Sequence, residues 1–241
     1  GRVSVGYQLT PQTSVTGTIR LEEVVIENPD FPTPRLLFES LGSNVLHSFR
    51  IAGTHDTRNS QFFPGEGHFV ELAYEQAFGE FVYPRLEATA RQYFTVYSRP
   101  DGGGRHIITL AGQLGWTDVG TPIFERFFAG GFQSFRGFDF RGVGPRQFGV
   151  TTGGRWMAVG TVEYQIPIMP NESIQAVVFS DFGTVENDVS FKNFRVTVGT
   201  GLRITVPGMG PVPLAFDFAF PVMSEDFDDE RVFSFYVDFN Q

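Results

Sequence analysis

The chain lacks cysteine, has few basic residues and contains no long hydrophobic run. Without cysteine, its 241 residues can form neither a disulfide framework nor a thiolate metal site. Its 18 Lys and Arg stand against 27 Asp and Glu, a net charge of −9, which argues against a nucleic-acid partner. No apolar stretch approaches the ~20 residues of a transmembrane helix. Phenylalanine, by contrast, is abundant at 28 residues, and the fold must accommodate that aromatic surface.

Apolar and polar residues alternate with a period of two through nearly the whole chain, whereas helical periodicity is almost absent. Successive strand residues point to opposite faces, so each alternating segment has one apolar and one polar face. We count eleven such segments, and they start near Arg2, Ser14, Asn44, Gly67, Phe81, Arg105, Trp156, Glu172, Asn193, Pro211 and Arg231. The pattern predicts an all-β, antiparallel fold.

Two connections are much longer than hairpin turns, residues 27–43 and residues 117–155. Within the first, Arg35–Leu41 is expected to form a short helix, with Pro34 at its first turn. Composition does not shift along the chain and no linker interrupts it. We therefore expect residues 1–241 to form one domain.

Charged residues of both signs lie on the polar parity of their segments, and the apolar parity is nearly free of charge. The charged set comprises Arg20, Glu22, Arg50, Glu71, Glu75, Arg85, Glu87, Arg91, Glu163, Asp181, Arg195, Arg203, Asp217 and Asp238. About eleven strands also exceed the roughly eight that close around a solid side-chain core. The pattern favours a membrane barrel with lipid-facing aromatics and an aqueous interior. A soluble two-sheet sandwich with a charged exterior is the alternative.

Candidate catalytic residues are sparse. The four histidines (His47, His55, His68 and His106) are scattered, without the H-x-x-x-H spacing that gathers a metal. The acidic pair Asp228-Asp229 is typical of a turn. We expect no enzymatic activity, no metal and no cofactor.

The most informative stretch lies in the second long connection. Residues 124–146 read FERFFAGGFQSFRGFDFRGVGPR and contain the tetrad Phe135-Arg136-Gly137-Phe138. The stretch resembles the sixth extracellular loop of the BamA-type outer-membrane assembly family. That loop has an aromatic residue and Gly-Gly before an (aliphatic)-Arg-Gly-(aromatic) tetrad, and Gly-Pro-Arg after it. Here Phe135 stands where the family more often has Val or Ile.

Other parts of the chain share the resemblance. Residues 56–67 are similar to the family's turn into a barrel strand, and residues 179–183 to its Phe-x-Asp-x-Gly strand end. Residues 199–221 are similar to the family's final Gly-Leu-Arg, Pro-rich and Ala-x-Pro run. The resemblance thus covers essentially the whole chain.

The resemblance implies a bacterial-type outer-membrane barrel whose long loop folds into the lumen. The family's barrel has sixteen strands and follows periplasmic POTRA domains, whereas this chain has about eleven segments. We therefore expect a C-terminal fragment that lacks the first strands and the POTRA domains; a reduced barrel is the alternative.

The resemblance also implies a role for the tetrad. Arg136 is expected to reach the inner wall and pair with Asp181 first and Glu163 second. Gly137 would permit a close approach of the backbone, and Phe138 would pack beside the ion pair. On the residues alone, a solvated loop charge is the favoured interpretation of Arg136.

In function, the resemblance implies insertion of other barrels through a lateral gate, with strand addition at an unpaired edge. One gate edge would be the last strand, with Arg231, Phe233, Phe235, Val237 and Phe239. The implied partners are the lipid bilayer, unfolded outer-membrane proteins and accessory lipoproteins bound through periplasmic domains. The alternatives are a TamA-like translocation or two-partner secretion transporter, and a porin or barrel anchor for another domain.

Overall fold

The computed structural model describes residues 1–27, 33–206 and 212–237, and most of them lie in strands. Eleven strands form one sheet: β1 (Arg2–Thr10), β2 (Thr13–Ile26), β3 (Gly42–Asp56), β4 (Gly67–Phe78), β5 (Tyr83–Tyr97), β6 (His106–Thr117), β10 (Trp156–Pro167), β11 (Ile174–Glu186), β12 (Arg195–Ile204), β13 (Leu214–Met223) and β15 (Phe233–Val237). Four strands of two residues lie outside it: β7 (Gly137–Phe138), β8 (Arg146–Gln147), β9 (Val150–Thr151) and β14 (Glu230–Arg231). The all-β prediction is confirmed.

Helical structure is minor. The expected helix over Arg35–Leu41 is shorter, with α1 at Arg35–Phe38, and a 3-10 turn spans Ile123–Glu125. Among the described residues, no helix has the length and hydrophobicity to cross a bilayer.

Every strand of the large sheet pairs antiparallel with its neighbours, and β6 pairs with β10 across the long connection. The ladders are long; β2 and β3, for example, are paired from Thr13 and His55 to Ile26 and Gly42. Strands β1 and β15 form the two ends of the sheet, and no ladder between described residues joins them. Over the described residues, the sheet is therefore not closed.

The exposure of side chains shows which face of the sheet is apolar and which is polar. On β13, Asp217 is fully buried, whereas Phe218 and Phe220 on the opposite parity are 46% and 53% exposed. On β12, Arg195 and Arg203 are buried and Val198 is exposed. Apolar side chains thus cover the outside and charged side chains face the inside, as in a membrane barrel. A soluble sandwich would show the reverse.

The second long connection occupies the inner side of the sheet. We call residues 118–155 the lumenal loop. Its side chains Phe135, Phe138 and Val143 are buried in one cluster with Val159 of β10 and Val185 of β11. The predicted folding of this loop into the lumen is confirmed.

The end of the chain differs in detail from the expectation. The alternation predicts one strand from Arg231 to Phe239, but the strand is interrupted at Val232. Arg231 belongs to β14, which pairs with β7 in the lumenal loop instead of with β13. Phe233, Phe235 and Val237 lie in β15, and Phe239 lies outside the described residues.

Candidate functional site

Glycines shape the lumenal loop where it approaches the wall. Gly130 and Gly131 have φ angles of +117° and +84°, a region that L side chains rarely adopt. Gly137 has φ +94°, and a Cβ atom on it would lie 2.8 Å from Thr197 Cγ2 on β12. Only glycine therefore fits at the third position of the tetrad, because both the backbone conformation and the space exclude a side chain.

Arg136 points into the wall and meets Asp181 of β11 in a bidentate ion pair. Its Nε donates to Oδ2 and its Nη2 to Oδ1, each at 2.8 Å. The main-chain amide of Arg136 donates to the same Oδ2 at 3.0 Å. Charge-assisted pairs with this parallel geometry are among the strongest side-chain interactions. Asp181 therefore fixes both the side chain and the backbone of Arg136.

Two further carboxylates complete the surroundings of Arg136. Its Nη1 donates to Glu163 Oε2 on β10 at 2.6 Å, and lies 3.5 Å from Asp217 Oδ2 on β13. Arg203 of β12 joins these two acids, with Nη1 at 2.6 Å from Asp217 and Nη2 at 3.3 Å from Glu163. We call Arg136, Glu163, Asp181, Arg203 and Asp217 the arginine cluster.

The arginine cluster is buried and hydrogen-bonded at its edges. The five side chains are between 0% and 11% exposed. Thr161 donates to Asp181 at 2.9 Å, and the hydroxyl of Tyr236 on β15 donates to Asp217 at 2.6 Å. Two cations and three carboxylates leave one net negative charge. Loss of either arginine would leave two net negative charges buried, which is strongly destabilising.

Aromatic rings lie on and near the buried cation. The guanidinium carbon of Arg136 lies 3.4 Å from the centroid of the Phe179 ring, which faces inward on β11 beside Val177 and Ala219. Phe138 is fully buried and contacts Phe135 edge to face, with ring centroids 5.1 Å apart. The Phe179 ring covers one face of the guanidinium, and this should strengthen the ion pairs because charges attract more strongly where the dielectric constant is low.

The lumenal loop has a second attachment, on the opposite part of the sheet, that the sequence did not predict. Glu125 Oε2 accepts from Arg20 Nη2 of β2 at 2.9 Å and lies 3.6 Å from Arg85 Nη1 of β5. Arg85 also donates to the carbonyl oxygen of Glu125 and stacks on the ring of Phe127, 4.3 Å from its centroid. We call Glu125, Arg20 and Arg85 the glutamate anchor.

The structure thus brings together all the tetrad residues and both predicted partners of Arg136. It adds Asp217, Arg203 and Tyr236, which sequence reasoning did not assign to the site. The sequence indicated only that each of these three residues lies on the polar parity of its strand. Among the described residues, no group of three or more His, Cys, Asp or Glu is arranged to hold a metal ion.

An antiparallel sheet with an apolar outside, a charged inside and an inward-folded, arginine-anchored loop defines a class of protein, the transmembrane barrels with a loop held in the lumen. The Omp85 superfamily domain matches residues 1–238, and the chain belongs to that superfamily. It therefore lies in the outer membrane, crossing it with strands.

Two relatives show how far the likeness extends. The chain is 28% identical over 211 residues to the outer membrane protein assembly factor BamA of Nitratidesulfovibrio vulgaris (strain Hildenborough), a match that covers 83% of this chain and 26% of that protein. The chain thus spans about a quarter of that relative. A crystal structure of BamA from Haemophilus ducreyi lacking POTRA domains 1–3 superposes with a TM-score of 0.78 at 18% identity, over 97% of this chain and 52% of the other. The second likeness shows the fold.

Proposed function

We propose that this chain is the part of a barrel that carries one edge of the lateral gate, and that the barrel assembles other outer-membrane proteins. The name of the Nitratidesulfovibrio relative states this activity for that protein. One observation carries the proposal. Strand β15, the last of the sheet, is joined to β13 by five residue pairs, the shortest ladder of the sheet among described residues. With the fewest pairs over the described residues, it is the strand that we expect to part most readily from its neighbour.

Strand addition supplies the driving force. The outer edge of β15 offers main-chain donors and acceptors that no described strand satisfies. In hydrocarbon each unsatisfied group costs several kcal/mol, so an incoming strand that pairs with this edge is strongly stabilised. An unfolded barrel protein could then add its strands one hairpin at a time.

The arginine cluster would act structurally in this function, by holding the lumenal loop against β10–β13 while β15 exchanges partners. The proposal includes no covalent step, no cofactor and no enzymatic activity. Its partners are the bilayer and unfolded outer-membrane proteins. Accessory lipoproteins, in this proposal, bind periplasmic domains outside this chain.

Reconstitution tests the proposal. The complete gene product is placed in liposomes with an unfolded barrel protein, and insertion is followed by the gel shift that separates folded from unfolded barrels. We expect insertion well above that in empty liposomes, and its loss in Arg136→Glu. Arg141→Gln is the matched control, because Arg141 lies in the same loop, contacts the rings of Phe128 and Phe140, and is not among the ion-paired arginines of the described residues. Wild-type insertion no faster than in empty liposomes would contradict the proposal.

The charged inner wall favours a second candidate, translocation of a polypeptide through the lumen by a TamA-like or two-partner secretion mechanism. The same liposomes discriminate between the two. Translocation would place a soluble cargo inside the vesicle, protected from protease, whereas assembly leaves a folded barrel in the bilayer.

A further inference from the structure

The lumenal loop contacts the last hairpin directly, apart from the arginine cluster. Strand β14 pairs with β7, so Arg231 lies opposite Gly137 and Glu230 lies opposite Phe138. The amide of Asp139 donates to the carbonyl oxygen of Asp229 at 2.7 Å. The residues just before β15 are thus held by the same two residues that follow Arg136 in the tetrad.

A second contact involves β15 itself. The rings of Phe132 in the loop and Tyr236 in β15 are stacked, with centroids 4.5 Å apart and an angle of 16° between the planes. The hydroxyl of the same Tyr236 donates to Asp217, and Arg203 Nη2 lies 3.3 Å from it. Tyr236 therefore joins the last strand both to the loop and to the arginine cluster.

These inward contacts matter because the outward ones are weak in a membrane. On the outer face, Phe235 lies 4.8 Å from Phe216 and Phe233 lies 5.0 Å from Phe218, centroid to centroid. Lipid chains are as apolar as these rings, so the hydrophobic effect does not hold the outer pairs together. Besides its five-pair ladder and the van der Waals contacts of these rings, β15 is held by what Tyr236 contacts on the inside.

We propose that Phe132 and Tyr236 are positioning residues through which the lumenal loop sets how readily β15 separates from β13. The inference rests on the proposed function, in which β15 is the strand that exchanges partners. With the stack formed, β15 stays in register beside β13. When the loop withdraws Phe132, the strand loses its inner support and its edge becomes more mobile.

Hydrogen–deuterium exchange of the complete gene product in lipid nanodiscs tests the coupling without any insertion assay. Phe132→Ala should speed the exchange of the β15 amides, Phe233 to Val237, by about tenfold, the effect of losing one good aromatic pair. Exchange in β10 and β11 should not change. Phe132→Tyr keeps the ring and should keep the protection. Phe140→Ala is the matched control, because Phe140 is a 71% exposed phenylalanine of the same loop with no ring contact to β15.

A reversible crosslink tests the consequence for function. Residues 1–241 contain no cysteine, so Phe132→Cys with Tyr236→Cys introduces a single pair in this chain, and any cysteine elsewhere in the gene product is first replaced by serine. When oxidised, the pair should slow insertion of a barrel substrate at least tenfold, and a reductant should restore it. Thr89→Cys with Gln113→Cys links neighbouring inward positions on β5 and β6, strands that do not part in this mechanism. This control should leave insertion unchanged in both redox states.

The exchange and crosslinking experiments distinguish a failure of the proposed coupling from a failure of the proposed function. Unchanged β15 exchange in Phe132→Ala, or full insertion by the oxidised loop–strand crosslink, would overturn the coupling even if the wild type inserts substrates. Faster β15 exchange in a protein that inserts nothing would support the coupling and refute the proposed function.

Discussion

Replacing Arg136 by methionine should detach the lumenal loop from the wall. The side chain keeps its approximate length but loses three charge-assisted donor contacts to carboxylates and the contact with the Phe179 ring. Three buried carboxylates then face Arg203 alone. Removing one partner of a buried ion pair costs about 3–5 kcal/mol, mainly because the remaining charge is uncompensated.

That cost predicts the size of a proteolysis effect. Because a factor of ten in an opening equilibrium corresponds to about 1.4 kcal/mol, the loop of Arg136→Met should open roughly a hundred- to several-thousandfold more often. Trypsin cleavage after Arg141 and Arg146 reports this opening when opening and closing are faster than cleavage. Arg50→Met is the control, since Arg50 pairs with Glu71 on the inner wall and makes no ion pair with the described part of the loop.

A double variant tests the reasoning about charge. In Arg136→Met with Asp181→Leu, Arg203 faces Glu163 and Asp217, so the cluster regains the net charge of the wild type. The main-chain amide of residue 136 still lacks its acceptor, a cost of about 1–3 kcal/mol. Cleavage should therefore fall well below that of the single variant. A single variant cleaved at the wild-type rate, or a double variant cleaved as fast as the single one, would refute the argument.

Three further predictions concern other contacts of the inner face and the turns. Glu125→Gln weakens the glutamate anchor and should raise trypsin cleavage after Arg126 more than cleavage after Arg146. Equal increases at the two sites would mean that the anchor does not act mainly on the residues around Glu125. Gly137→Ala places a methyl group against Thr197 at a positive φ, and we expect the loop attachment to lose about 1–3 kcal/mol, read as faster cleavage after Arg146 and refuted by a wild-type rate. In the turn after β10, burial alone would raise the pKa of Glu172, but hydrogen bonds from Arg105 and its charge outweigh burial and hold that pKa below its ordinary 4.5. The ion pair between Glu172 and Arg105 should therefore be fully present above pH 4.5 and be lost as pH falls through the lowered pKa. Hydrogen exchange of the turn amides should become faster over the same pH range. If Glu172→Gln showed the same acid-side change, Glu172 would be excluded as its cause.

Much of the fold could be predicted from the sequence because the governing pattern is local. Each strand carries its own alternation, so the exposure of Phe218 and the burial of Asp217 follow from parity and from the choice of a wet interior. The partnership of Arg136 with Asp181 could be predicted because the tetrad and the Phe-x-Asp-x-Gly segment both resemble known motifs.

Other contacts could not be predicted because they depend on how distant segments meet. Parity places Arg203 and Tyr236 on the inner face, yet only the register of β12, β13 and β15 shows that both reach Asp217. Arg231 continues the alternation of the last strand, and nothing local signals the break at Val232. The break arises because β14 pairs with the lumenal loop, a contact between residues almost a hundred positions apart.

The two attachments of the lumenal loop have opposite charge, and this fixes the direction in which the loop crosses the inner face. The acidic Glu125 binds Arg20 of β2 and Arg85 of β5, which also pair with Glu75 and Glu87 of the wall, whereas the basic Arg136 binds Glu163 of β10 and Asp181 of β11. A reversed loop would bring Glu125 towards Asp181 and Glu163, which would repel it, and Arg136 towards a part of the wall with charges of both signs. Buried ion pairs add little net stability compared with apolar packing, but repulsion in the wrong arrangement is a reliable source of specificity. The repulsion expected at Glu125 favours the observed orientation of the loop, in which Phe132 meets Tyr236.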